Sequence, residues 1–158
     1  MTRNKFIANR LREVLLSGRW IANTNYKEQL LSVTHRQAKR KIGSLNSIAE
    51  LTYHVNYYLS GILNIFKSGK LEIQDKYSFD MPALCSEKDW ENLVNEFLSN
   101  SEKLTAQIDQ LPDEIFDEIF ADEKYGTYQR NLEGVIEHSY YHLGQISLIK
   151  KLISEIDN

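Results

Sequence analysis

Cysteine occurs once in this chain of 158 residues, at Cys85. A single cysteine excludes an intrachain disulfide and the cysteine-rich zinc motifs, and it fits a reducing compartment, so a cytoplasmic location is the expectation. Proline occurs twice and glycine seven times, too few for a linker-rich chain or one rich in β-turns. Long apolar runs are missing as well. The longest stretch free of Lys, Arg, Asp and Glu runs from Leu51 to Phe66, contains His54, Asn56 and Asn64, and falls short of the roughly 20 residues that cross a bilayer. At the start of the chain Arg10, Arg12 and Glu13 interrupt any apolar core of an export signal. Positive charge is not in excess either: the net charge is −3 and the pI about 5.8. Neither a nucleic acid nor a membrane is therefore an expected partner.

What remains is the composition of an ordinary globular protein, 42% hydrophobic and 26% charged, long enough for one domain over residues 1–158 with a sizeable core. Phe6, Ile7, Leu11, Val14 and Leu15 recur at helical spacing until Gly18. Asn25-Tyr26-Lys27-Glu28 and Thr34-His35-Arg36-Gln37 each carry capping-box spacing and predict short helical pieces. Arg36, Lys39, Arg40 and Lys41 cluster beside the second, and a solvated helix face is the simplest reading of them. Ser47-Ile48-Ala49-Glu50 is the clearest helix start. The helix it opens should run to about Phe66, end near Gly69, and face inward along Leu51, Val55, Tyr58, Ile62 and Phe66. Residues 70–85 read as an ordered crossing loop with a short extended piece. Ser86-Glu87-Lys88-Asp89 starts a third long helix through Trp90, Phe97, Leu104 and Leu111, closed by Pro112. Glu114 to Phe120 predicts a short amphipathic helix. A last long helix, Leu132 to Ile156, has an apolar face wide enough for two neighbours. Four long helices and no convincing strand predict an all-α four-helix bundle with long inter-helix connections, its up-and-down order open.

Two of the four histidines, His138 and His142, stand four residues apart on that last helix, so their rings lie on one face about a turn from each other. His54 lies on the inward stripe of the second long helix. Together they would supply three nitrogens to one divalent cation and leave coordination positions open, the pattern of a catalytic rather than a closed structural site. Zinc is the default; nickel, manganese and iron also suit imidazole. Against this stands the plainer reading, in which a lone inward histidine is a satisfied core residue and a His-x3-His pair arises by chance. Tyr58, one turn beyond His54, and Gln145, one turn beyond His142, could orient a ligand, or simply pack with satisfied polar atoms. Gly144 would permit a close helix approach. His35 should sit at the surface, and Cys85 has no sequence neighbour that would activate it.

The inward His54 within Ser47-Ile48-Ala49-Glu50-Leu51-Thr52-Tyr53-His54 and the run His138-x3-His142-Leu143-Gly144-Gln145-Ile146 resemble the DinB-like (YfiT-like) family of metal-dependent enzymes. Tyr125-Gly126-Thr127-Tyr128-Gln129-Arg130-Asn131 is similar to one branch of it. The resemblance extends from Phe6 to Ile153. It implies a four-helix bundle, often a homodimer, with His54, His138 and His142 as ligands of a divalent metal. It also implies a small-molecule substrate. Relatives include thiol S-transferases acting on a low-molecular-weight thiol, and metal-dependent hydrolases or isomerases. The other expectation is a non-catalytic dimeric binding or stress-response module that keeps a structural or vestigial metal.

Overall fold

The computed structural model describes residues 1–157, and among them the structure is helical, with no strand beyond one isolated bridge between Ile119 and Thr127. Four helices are long: α1 (Arg3–Leu15), α4 (Ile48–Ser68), α5 (Glu87–Asp109) and α6 (Tyr128–Asp157). Two short ones, α2 (Tyr26–Leu31) and α3 (His35–Ala38), fill the first connection. Helices α1 and α4 each pack against both α5 and α6, so the long helices form a ring around one apolar cluster.

The helix starts follow the local chemistry. Ser47 accepts from the Glu50 N–H while the Glu50 carboxylate accepts from the Ser47 N–H, and Thr34/Gln37 and Ser86/Asp89 repeat the device. Each exchange satisfies two amide donors that a helix start leaves without partners. At Asn25 only half of the expected box forms: its side chain accepts from the Glu28 N–H, whereas Glu28 turns to the Arg19 guanidinium at 2.8 Å. Helix α4 ends at Gly69, whose φ of +71° is the left-handed cap that glycine adopts without strain. Gly18 is needed for space, since a Cβ there would lie 2.3 Å from the Glu13 Cα.

Three expectations change. Residues 70–85 form an ordered crossing, but their only regular piece is a 3-10 turn, Asp75–Tyr77, and no extended strand. Glu114 to Phe120 is not an α-helix. A 3-10 turn over Asp113–Asp117 buries Phe116, and the chain then extends so that the Phe120 N–H donates to the Gly126 carbonyl at 3.0 Å. Seven residues are too few to offset helix nucleation when backbone partners lie alongside. Helix α6 starts four residues before Leu132, at Tyr128, and its buried face is narrower than the apolar pattern, with Ile156 56% exposed past the end of the core. The basic cluster is largely spent in ion pairs: Arg36 and Arg40 on Asp157, and Lys41 on Glu50.

Candidate metal centre

Helix α4 presents His54 one turn before Tyr58, among the buried Leu51, Val55 and Ile62. Helix α6 presents His138 and His142 beside Leu143 and Ile146. Because α4 packs on α6, the three rings meet. The His138 Nε2 lies 3.1 Å from the His54 Nε2 and 3.0 Å from the His142 Nε2. These are the separations that nitrogens bound at about 2.0–2.1 Å to one cation adopt in cis or tetrahedral positions. The structure therefore brings together all three histidines singled out by the sequence, as a cluster that could hold a metal ion.

The surroundings set the protonation of the rings. Gln145 Oε1 stands 2.6 Å from the His142 Nδ1. An amide oxygen accepts, so in the neutral ring Nδ1 carries the proton and Nε2 turns a lone pair to the cluster. Burial, aided by His142, lowers the His54 pKa to about 4, against opposing effects of the Ser78 backbone and Asp75. Burial lowers His138 to about 4 as well, with His142 and His54 adding to it. His142 is lowered by burial and partly restored by Gln145. All three rings are neutral at pH 7, the state that ligates a metal. Lone pairs facing one another around the His138 Nε2 share at most one proton among them, so the donor set fits a cation at its centre. The His54 Nδ1 is buried without a hydrogen bond of ordinary geometry, although the Ser78 backbone acts on the ring as an acceptor would.

Aromatic rings hold the imidazoles in place. Phe79 stacks flat on His54, with centroids 4.1 Å apart and planes 12° apart. Tyr58 meets His54 and His138 edge-on, each at 5.1 Å. The Tyr58 hydroxyl donates to Asp75 Oδ1 at 2.9 Å, and the neighbouring Tyr57 hydroxyl donates to the Gln74 carbonyl while accepting from its N–H. Two consecutive tyrosines of α4 thus pin the crossing segment over the site. Beside His138 opens a cavity of about 410 Å³, with Tyr58, Ile62, Ile73, Asp75 and Phe120 among its walls.

Of the candidates at the site, Gln145 touches a histidine directly, and Tyr58 packs on two of them. Gly144 does not mediate a close approach, since nothing lies within 4 Å of where its Cβ would be. His35 is half-buried, its Nε2 3.1 Å from the Leu84 carbonyl and remote from the cluster. Cys85 is exposed. Sequence reasoning missed Asp75 and the stacking role of Phe79. Both lie in the crossing segment, where no helical period places residues, and a short polar-aromatic loop opposite a ligand helix was the only available signal.

Helices surrounding a three-histidine cluster, two of its rings buried and His138 half-buried, beside a cavity define the class. The sequence profile of the DinB superfamily matches residues 24–146, a span that contains all three histidines, and the chain belongs to that superfamily. No curated protein and no solved structure gives a significant match. No helix among the described residues is long and apolar enough to cross a membrane.

Proposed function

We propose that the protein is a divalent-metal-dependent enzyme acting on a small molecule, with His54, His138 and His142 as the ligands, on a ring of helices that we read as a four-helix bundle. The carrying observation is the convergence of three neutral imidazoles, with Nε2 contacts of 3.0 and 3.1 Å, next to a cavity rather than in a closed core. Zinc is the metal we favour for three nitrogens, with nickel, manganese and iron as the other fits. A divalent cation held there supplies Lewis acidity, lowering the pKa of a water or thiol that it binds. That chemistry serves both reaction types we favour, a thiol S-transferase-like transfer and a hydrolase-like cleavage.

The chain's own residues do the rest. Gln145 holds His142 in the tautomer that presents Nε2, and Phe79 and Tyr58 fix the ring planes by packing. Tyr58, its hydroxyl held by Asp75, lines the cavity. Metal analysis of protein purified without a histidine tag tests the reading, with zinc and chelator titrations followed by thermal melting. Metal-free protein indifferent to both reagents would end it.

A homodimer is the partner state we propose. Tyr141 and Leu148, 65% and 56% exposed, stand two turns apart on one face of α6, an apolar pair that a second copy would cover. Sedimentation of the wild type and of Leu148→Glu checks this, dissociation by the variant being the expected result.

A further inference from the structure

We propose that the cavity beside His138 is a binding site for a small organic ammonium ion, with the carbon skeleton on its apolar walls and the protonated amine at Asp75. The inference deepens the reading above by naming the substrate class of the same site, and it rests on that reading only for what happens at the histidines.

Ile62, Ile73, Phe120 and Val135 form the apolar surface of the cavity, suited to a short alkyl chain or one ring. No lysine or arginine lines it, and its only carboxylate is Asp75. The Tyr58 hydroxyl donates its proton to Asp75 Oδ1, and the Ser78 side chain acts on the phenolic oxygen as a donor would. Oδ2 of Asp75 takes no hydrogen bond among the described residues. Asn131 spends both Nδ2 hydrogens on the carbonyls of Tyr125 and Thr127, at 2.9 and 2.8 Å, so its remaining polar group is also an acceptor. The nearest lysines in sequence do not neutralise the carboxylate from within: Lys76 lies over the Tyr77 ring, and Lys124 over the Tyr125 ring and beside Asp122.

One carboxylate stands beside an apolar wall with no cationic side chain to match it, and the other polar groups of the lining, on Tyr58, Tyr125, Asn131 and His138, are neutral. Asp75 is solvent-exposed on one side, and a carboxylate without a cationic partner attracts a charged donor and repels an anion. An ammonium group offers the charge and a hydrogen for the unpaired oxygen of Asp75. Carboxylate-bearing substrates are disfavoured by the same argument, unless the carboxylate itself goes to the metal.

The probes are benzylammonium, benzyl alcohol and benzoate, titrated into the ¹⁵N-labelled full chain, both metal-free under chelator and zinc-loaded. Amide shifts at Ile62, Ile73 and Val135 report on the cavity. In the metal-free protein benzylammonium is expected to bind, benzyl alcohol roughly tenfold more weakly, and benzoate not at all. Asp75→Asn keeps an acceptor for Tyr58 and removes the charge. It should weaken benzylammonium by roughly tenfold and leave benzyl alcohol unchanged. Should that variant not fold, the wild-type ranking decides alone. In the metal-free protein, benzoate binding as tightly as benzylammonium, an indifferent Asp75→Asn, or no shifts at the cavity residues would each overturn the proposal. The two readings fail separately: the ranking in metal-free protein stands even where zinc never binds, and zinc binding without the ranking removes only the ammonium site.

Discussion

The Nδ1 of His142 and the Oε1 of Gln145 lie 2.6 Å apart, three residues along one helix. This contact converts a local feature of α6 into control of the cluster, because it decides which nitrogen of His142 carries the proton. Removing it should leave the ring free to flip or change tautomer. Gln145→Ala is expected to lower zinc affinity by about 10- to 100-fold, read by competition with a chromophoric chelator. Gln145→Glu, which still accepts, should keep most of it.

His138 occupies the middle of the cluster, with its Nε2 in contact with both partners. His138→Ala should abolish tight metal binding. Circular dichroism of the metal-free variant should match the metal-free wild type, since the apolar core is continuous around the site and a catalytic metal is not its main support. An unfolded metal-free wild type would show instead that the metal is structural.

Acid should weaken the metal-free fold through these rings. His54 and His138 titrate near pH 4 in the folded state against about 6.5 when unfolded. Between those values the unfolded chain binds more protons, so stability falls as the pH drops from about 6.5 to about 4 and levels off, for these groups, below that. Melting temperatures across this range, for the wild type and for His54→Phe/His138→Phe, check it. The double variant should show a shallower slope.

Gly61, in the middle of α4, faces the Ile73 side chain, three of whose carbons would stand 2.5 to 2.9 Å from an added Cβ. The close approach lets the crossing segment form the cavity wall. Gly61→Ala should therefore bring no gain in the wild type, the clash cancelling or exceeding the helix propensity. In an Ile73→Ala background the same change should stabilise by about 1 kcal/mol. Urea denaturation of the four chains measures the coupling.

Tyr26 is fully buried, stacked on Phe97, and its hydroxyl donates to the Ser139 carbonyl at 3.0 Å, next to His138 in the chain. Tyr26→Phe keeps the stacking and should cost about 1 kcal/mol, again by urea denaturation. A larger loss would mean that this bond also holds α6 in place.

Much of this was legible in the sequence because it is local. The boxes at Thr34, Ser47 and Ser86 formed as their spacing foretold, and the stop at Gly69 follows from one residue's freedom at positive φ. The long helices followed from apolar spacing, and the inward aim of His54 from its place between Leu51 and Tyr58. The spacing failed at Glu114 to Phe120, where backbone partners around Gly126 outcompeted a seven-residue helix. It failed at Ile156 too, where the helix outlasts the core that its apolar face was expected to meet.

By itself, the sequence determined which faces of which helices are apolar and that two imidazoles share one of them, since 3.6 residues per turn allow nothing else. Only the tertiary structure decided that His54 meets His138 across 84 positions of chain, that Asp75 closes on Tyr58, and that Phe79 lies flat on a histidine. Contacts between distant segments come from packing several elements at once around one core, and no repeat along a single element encodes which partner it will find.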